Sequence, residues 1–152
     1  QASQLLALAQ FIAEQTGATF GVLGEAANSV GAQLVGAQPR SGGLNAGQML
    51  SRPLKAYLLL NAEPVLDAAD GRQAADTLAR AGMVVSLSAF KNANLEHADV
   101  LLPITPFTET SGSFVNAEGR VQGFHGVVRP RGDARPAWKV LRVLGSMLGL
   151  PG

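Results

Sequence analysis

The chain alternates between helical and extended hydrophobic periods, and their order sets the fold class. Residues 3–17 place Leu5, Leu8 and Ile12 on one helical stripe, with Gln4, Gln10, Glu14 and Gln15 interrupting the apolar run. Ser3 is placed to cap this helix and Gly17 to end it. The short apolar run 18–23 reads as a buried strand. A helix is expected over 25–35, weakened by Gly31, and 36–53 reads as a long ordered loop, a feature often tied to function. Residues 55–60 are continuously apolar after Lys55, the pattern of a strand buried on both faces. A turn at 61–65 and a helix over 71–81 lead to two more such strands, 83–87 and 99–103. Strand, helix, strand in about 30 residues is a βαβ unit. The fold class is therefore α/β, a Rossmann-like, mainly parallel sheet flanked by helices.

Beyond Pro103 the period changes. Two short extended runs flank Asn116-Ala-Glu-Gly119, and Gly119 is free to take a positive φ, which predicts a β-hairpin in the C-terminal third. A final helix is expected over 133–148, with Asp133 as cap and Pro136 in its first turn. Its apolar stripe is Trp138, Leu141, Leu144 and Leu148, with Lys139 and Arg142 facing away.

Composition narrows what such a domain does. The 152 residues include no Cys, which excludes a disulfide scaffold and any cluster or zinc site held by thiolates. Twelve basic residues against eleven acidic ones lack the basic footprint that nucleic acid requires. No run of 18 apolar residues occurs, so no helix inserts directly into a membrane. Only 15% of residues are charged, where free-standing domains carry about 25%. With no initiator Met, this points to a fragment of a longer polypeptide whose surface partly faces the rest of that chain. Apolar grooves are then expected near the first helix and the 36–53 loop. Charge is uneven: residues 77–152 hold eight bases and five acids, with Arg129, Arg131, Arg135, Lys139 and Arg142 close together. Such a segment suits either an acidic partner or a solvated helix face.

Candidate chemistry is sparse. His97 and His125 lack metal-ligand spacing, so no metal site is expected. Neither a G-x-S-x-G elbow nor a phosphate-binding P-loop is present, and Gly21-Val-Leu-Gly24 lacks dinucleotide spacing. No catalytic residue is assigned. The turn Asn61-Ala-Glu63-Pro64 lies at the carboxyl end of a parallel strand, where open α/β sheets bind ligands. Glu63 there either accepts hydrogen bonds from a ribose or pterin amine or caps the next segment. The densest polar cluster holds Glu109, Asn116, Glu118 and Arg120. Its two carboxylates suit acid–base work, but Arg120 and Asn116 suit turn-building, and the structural reading is preferred.

Three segments, LLLNAEP (58–64), HADVLLPITPFTETSGSFVNAEGRVQ (97–122) and ARPAWKVLRVLG (134–145), resemble the molybdopterin oxidoreductase superfamily. Its pattern is a strand ending in an Asn/Glu-Pro turn, an A-D-V-L-L-P strand, a glutamate and a G-[ST]-F-x-N-x-E-G-R-x-Q hairpin. The matching positions here are Asp99, Pro103, Glu109, Asn116, Glu118, Gly119 and Arg120. The wording of 25–39 and 41–50 is most similar to one branch, the large (75-kDa-type) G subunits of bacterial NADH:quinone oxidoreductase, respiratory complex I. The resemblance implies part of a C-terminal, molybdopterin-enzyme-like region, with iron–sulfur clusters carried elsewhere in the subunit. It implies a cofactor-free domain here, with Asn61, Glu63 and Asp67 as vestiges of a pterin-nucleotide site. The turn reads Ala-Glu-Pro where molybdenum enzymes usually have x-Asn-Pro. Implied partners are the rest of the subunit and other peripheral-arm subunits, on the cytoplasmic side of the bacterial inner membrane. The rival implication is the cofactor-binding domain of a formate dehydrogenase-like enzyme.

Overall fold

Ala56–Leu60 (β1), Met83–Ser88 (β2) and Val100–Pro103 (β3) form a parallel sheet in the order β1-β2-β3 in a computed structural model describing residues 2–91 and 93–150. Leu59 pairs with Ser86 and Leu60 with Leu87, while Ser86 pairs with Leu101 and Leu87 with Leu102. Because side chains alternate across a strand, this register fixes two faces. Tyr57, Leu59, Val84 and Ser86 share one; Leu58, Leu60, Met83, Val85, Leu87, Val100 and Leu102 share the other.

The crossover from β1 to β2 covers the first face. It consists of Pro64–Asp67 (α4) and Gly71–Ala79 (α5), capped by Asp70, whose carboxylate accepts the Gln73 amide at 2.9 Å. Leu78 of α5 packs with Tyr57, Leu59 and Val84 as the buried core. The helix 71–81 expected from sequence is thus present, two residues shorter. Tyr57 also ties down its own approach: its hydroxyl donates to the Met49 carbonyl at 2.8 Å and accepts the Leu54 amide at 3.0 Å.

The chain divides into two units, one comprising residues up to Gly36 with Phe114–Val121, the other Ala37–Ser113 with the residues from Gln122 onward. The sheet belongs to the second. In the first, Ala2–Thr16 (α1) ends before Gly17 as expected, but Ser3 lies inside the helix rather than capping it. Residues 18–23 are not a strand: Leu23 is exposed and, among the described residues, no neighbouring strand pairs with the run. An isolated strand leaves its backbone groups unpaired, so the apolar run alone does not suffice. The helix expected over 25–35 is only Ser29–Leu34 (α2). The Asn28 carbonyl oxygen of the side chain does not cap it, because it accepts the Val115 amide at 2.8 Å. Gly31 makes this possible, since a Cβ there would collide with that oxygen.

In the second unit, the expected loop 36–53 contains a helix, Ala46–Ser51 (α3). Asn45 and Gln48 form a reciprocal capping box, with amide-to-side-chain distances of 2.9 and 3.0 Å. The expected hairpin is present as Gly112–Val115 (β4) and Val121–Phe124 (β5). The last helix, Ala137–Met147 (α6), starts four residues later than expected, with Pro136 rather than Asp133 at its cap. A residue before proline is driven out of the helical region. Arg135 accordingly pairs with Ile104 in a parallel bridge just past β3.

Candidate functional site

The turn after β1 is held from three sides. The Asn61 amide donates to the Leu87 carbonyl at 2.8 Å, and Asn61 itself has φ of 47°, left-handed. The Ala62 carbonyl accepts from Asn94 Nδ2 at 2.6 Å. Asn94 sits in a short 3-10 turn, Ala93–Glu96, is 1% exposed, and also donates to Ser86 Oγ at 3.1 Å. The Glu63 amide donates to Asp67 Oδ2 at 2.7 Å, and the Glu63 carbonyl accepts the Leu66 and Asp67 amides. Asp67 therefore closes the first turn of α4 on itself. Among the described residues the Glu63 carboxylate makes no hydrogen bond or ion pair.

Other residues singled out by the sequence lie away from this turn and have their own partners. Asp99 clamps the start of β2 against β3, its Oδ2 accepting the Val84 amide at 2.7 Å and its amide donating to the Val84 carbonyl at 2.9 Å. Pro103 ends β3, paired with Ser88, and its carbonyl accepts the Arg135 amide. Glu109, in the second unit, accepts the Arg131 amide at 3.2 Å. Glu118 and Arg120 lie on the hairpin tip in the first unit, exposed, in a 4.0 Å ion pair. Asn116 Oδ1 accepts the Glu118 and Arg120 amides at 3.1 and 2.9 Å, and Gly119, with φ of 80°, completes the turn. The side chains of Asp99, Glu109 and Asn116 thus hold local backbone, while those of Glu118 and Arg120 pair with each other.

His97 follows the 3-10 turn, with its amide on the Asn94 carbonyl. Among the described residues, no group of three His, Asp or Glu could hold a metal ion. The pattern missed Asn94 and Tyr57, the two side chains that pin the segments flanking β1. A lone polar ring in an apolar strand was a signal for Tyr57; nothing near Asn94 signalled its role.

Residues 1–147 match the family described as Molybdopterin oxidoreductase. The chain belongs to that family. It is 32% identical over 96 residues, 63% of this chain, to "Putative formate dehydrogenase YrhE" of Bacillus subtilis (strain 168). It is 49% identical over 51 residues, 34% of this chain, to the 78 kDa subunit of mitochondrial NADH-ubiquinone oxidoreductase of Candida albicans. These stretches cover 10% and 7% of the two relatives, so the chain matches a small part of their length.

Family membership raises the question of whether this turn fits a pterin nucleotide. Residues 61–71 contain Glu63, Asp67 and Asp70 and no Lys or Arg, a charge set that repels phosphates. The amide of Glu63 is already bound by Asp67, and Pro64 has none. These residues do not fit the phosphate-bearing part of the cofactor.

Proposed function

We propose that this chain is a cofactor-free structural domain of the large subunit of an NADH:quinone oxidoreductase, supporting electron transfer that iron–sulfur clusters carry elsewhere. The single observation behind this is the closed, acidic turn after β1, in which Asp67 binds the Glu63 amide and Asn94 binds the Ala62 carbonyl. The 49% identity to a complex I subunit supports the setting. The absence of Cys agrees, since clusters need thiolate ligands. In this setting the domain's partners are the rest of its own subunit and neighbouring peripheral-arm subunits, at the cytoplasmic face of the bacterial inner membrane. No helix among the described residues is long and apolar enough to cross a membrane.

A second reading, a cofactor-binding domain of a formate dehydrogenase-like enzyme, draws on two uncommitted groups beyond the strand ends. They are the Glu63 carboxylate and Thr105 Oγ1, which is buried without a partner. The readings separate in one experiment. The chain, produced in a host that makes molybdenum cofactor, is purified and assayed for molybdenum, iron and pterin fluorescence. The structural reading expects none of the three; stoichiometric molybdenum or pterin supports the second.

A further inference from the structure

The second face of the sheet is apolar at every position; Leu87 at its centre is fully buried, but the side toward β1 is open. Leu58, Leu60 and Met83 are 47%, 44% and 48% exposed. Parallel sheets are normally covered on both sides. On this side Val140, Val143, Leu144 and Met147 of α6 face Leu102 across a groove of about 490 Å³. Leu102 lies in register with Leu87 and Leu60, so the groove is on the same face of the sheet, separated from the open β1 side by the buried Leu87. Arg135, Lys139 and Arg142 line the same groove. Lys139 and Arg142 are exposed, as expected from the pattern, at the rim of this groove, while Trp138, expected on the apolar stripe, is half exposed. Among residues 134–150 no Asp or Glu offsets these three cations.

We infer that this trough is the seat of an amphipathic helix, apolar along one stripe and flanked by Asp and Glu, supplied by the remainder of a longer polypeptide. Three observations converge on that occupant. An apolar floor with a purely basic rim selects an apolar stripe with acidic flanks. The floor lies on a sheet that needs a second layer to be covered. The chain also matches only 10% and 7% of two relatives, whose remaining length is ample to supply that layer. The inference rests on the structural reading above and names its partner, but it has a separate readout from the metal and pterin assay.

The test titrates the 152-residue chain into two fluorescent helical peptides that share one leucine stripe and differ only in flanking Glu or Lys. Fluorescence anisotropy should show the Glu peptide binding at least tenfold more tightly, with affinity falling as salt rises. The charge-reversed variant R135E/K139E/R142E should invert the preference. Val143→Asp, an exposed position that lines the groove, should weaken both peptides; circular dichroism checks that the variant is folded. Equal binding of the two peptides, no binding, or binding indifferent to Val143→Asp overturns the proposal. So does a stable dimer by sedimentation that the Glu peptide does not dissociate, because a second copy would then be the occupant. Binding to vesicles containing phosphatidylglycerol that excludes the peptide overturns it in favour of a lipid surface.

Discussion

On one face of the parallel sheet, Tyr57, Leu59 and Val84 are sealed beneath Leu78 of α5, which is 2% exposed; on the other, Leu58, Leu60 and Met83 stay about half exposed. The residue types are nearly the same. What differs is the cover: the β1–β2 crossover is short and falls on the first face, whereas the second is lined by α6 at its β3 side, buries Leu87 at its centre and leaves its β1 side open. A continuous apolar strand therefore states that both faces will be buried but not what will bury them. Stability in this chain should reside on the crossover face and at Leu87, and association in the groove beside α6.

The sharpest challenge to that contrast is a pair of truncations. Leu78→Ala should cost about 2–5 kcal/mol, because it opens a cavity in the sealed layer. Leu58→Ala should cost less than about 1 kcal/mol, since much of that side chain already contacts water. Urea midpoints compared at unchanged m-value read both, and equal losses would break the contrast. Next in size is Asn94→Leu, which strips the Ala62 carbonyl and Ser86 hydroxyl of their donor in a buried setting and should cost about 1–3 kcal/mol. It should also loosen the turn after β1, seen as faster amide exchange at Asn61 and Glu63. A loss confined to global stability would detach Asn94 from the turn. Smallest is Glu118→Gln: its exposed 4.0 Å pair with Arg120 should leave the melting temperature unchanged to within about 0.5 kcal/mol equivalent.

The sheet was legible because its strands are apolar runs bounded by turn residues and because strand–helix–strand spacing implies parallel pairing. The hairpin was legible from Asn116 and Gly119. The strand expected at 18–23 failed for the converse reason: hydrophobicity marks a segment that seeks burial, while a strand also needs a pairing neighbour. The late start of α6 follows from Pro136 acting on Arg135. The capping box of α3 is written in the sequence as Asn45-Ala-Gly-Gln48, but Gly42 and Gly43 precede it, Gly47 lies within it and the helix it starts is only six residues long. At the turn after β1, the sequence brought Asn61, Glu63 and Asp67 together. Only the geometry distinguished a carboxylate closing its own turn from one offered to a ligand. Asn94 was out of reach, because its partners lie 32 and 8 residues away in sequence.

The central claim is that the turn after β1 builds the fold and does not receive a guanine nucleotide. Thermal denaturation of the 152-residue chain with and without millimolar GDP tests it directly, since a ligand binding only the native state raises the midpoint by linkage. An unchanged midpoint is the predicted result. A rise that Glu63→Gln abolishes would contradict the claim and place a nucleotide at the end of β1.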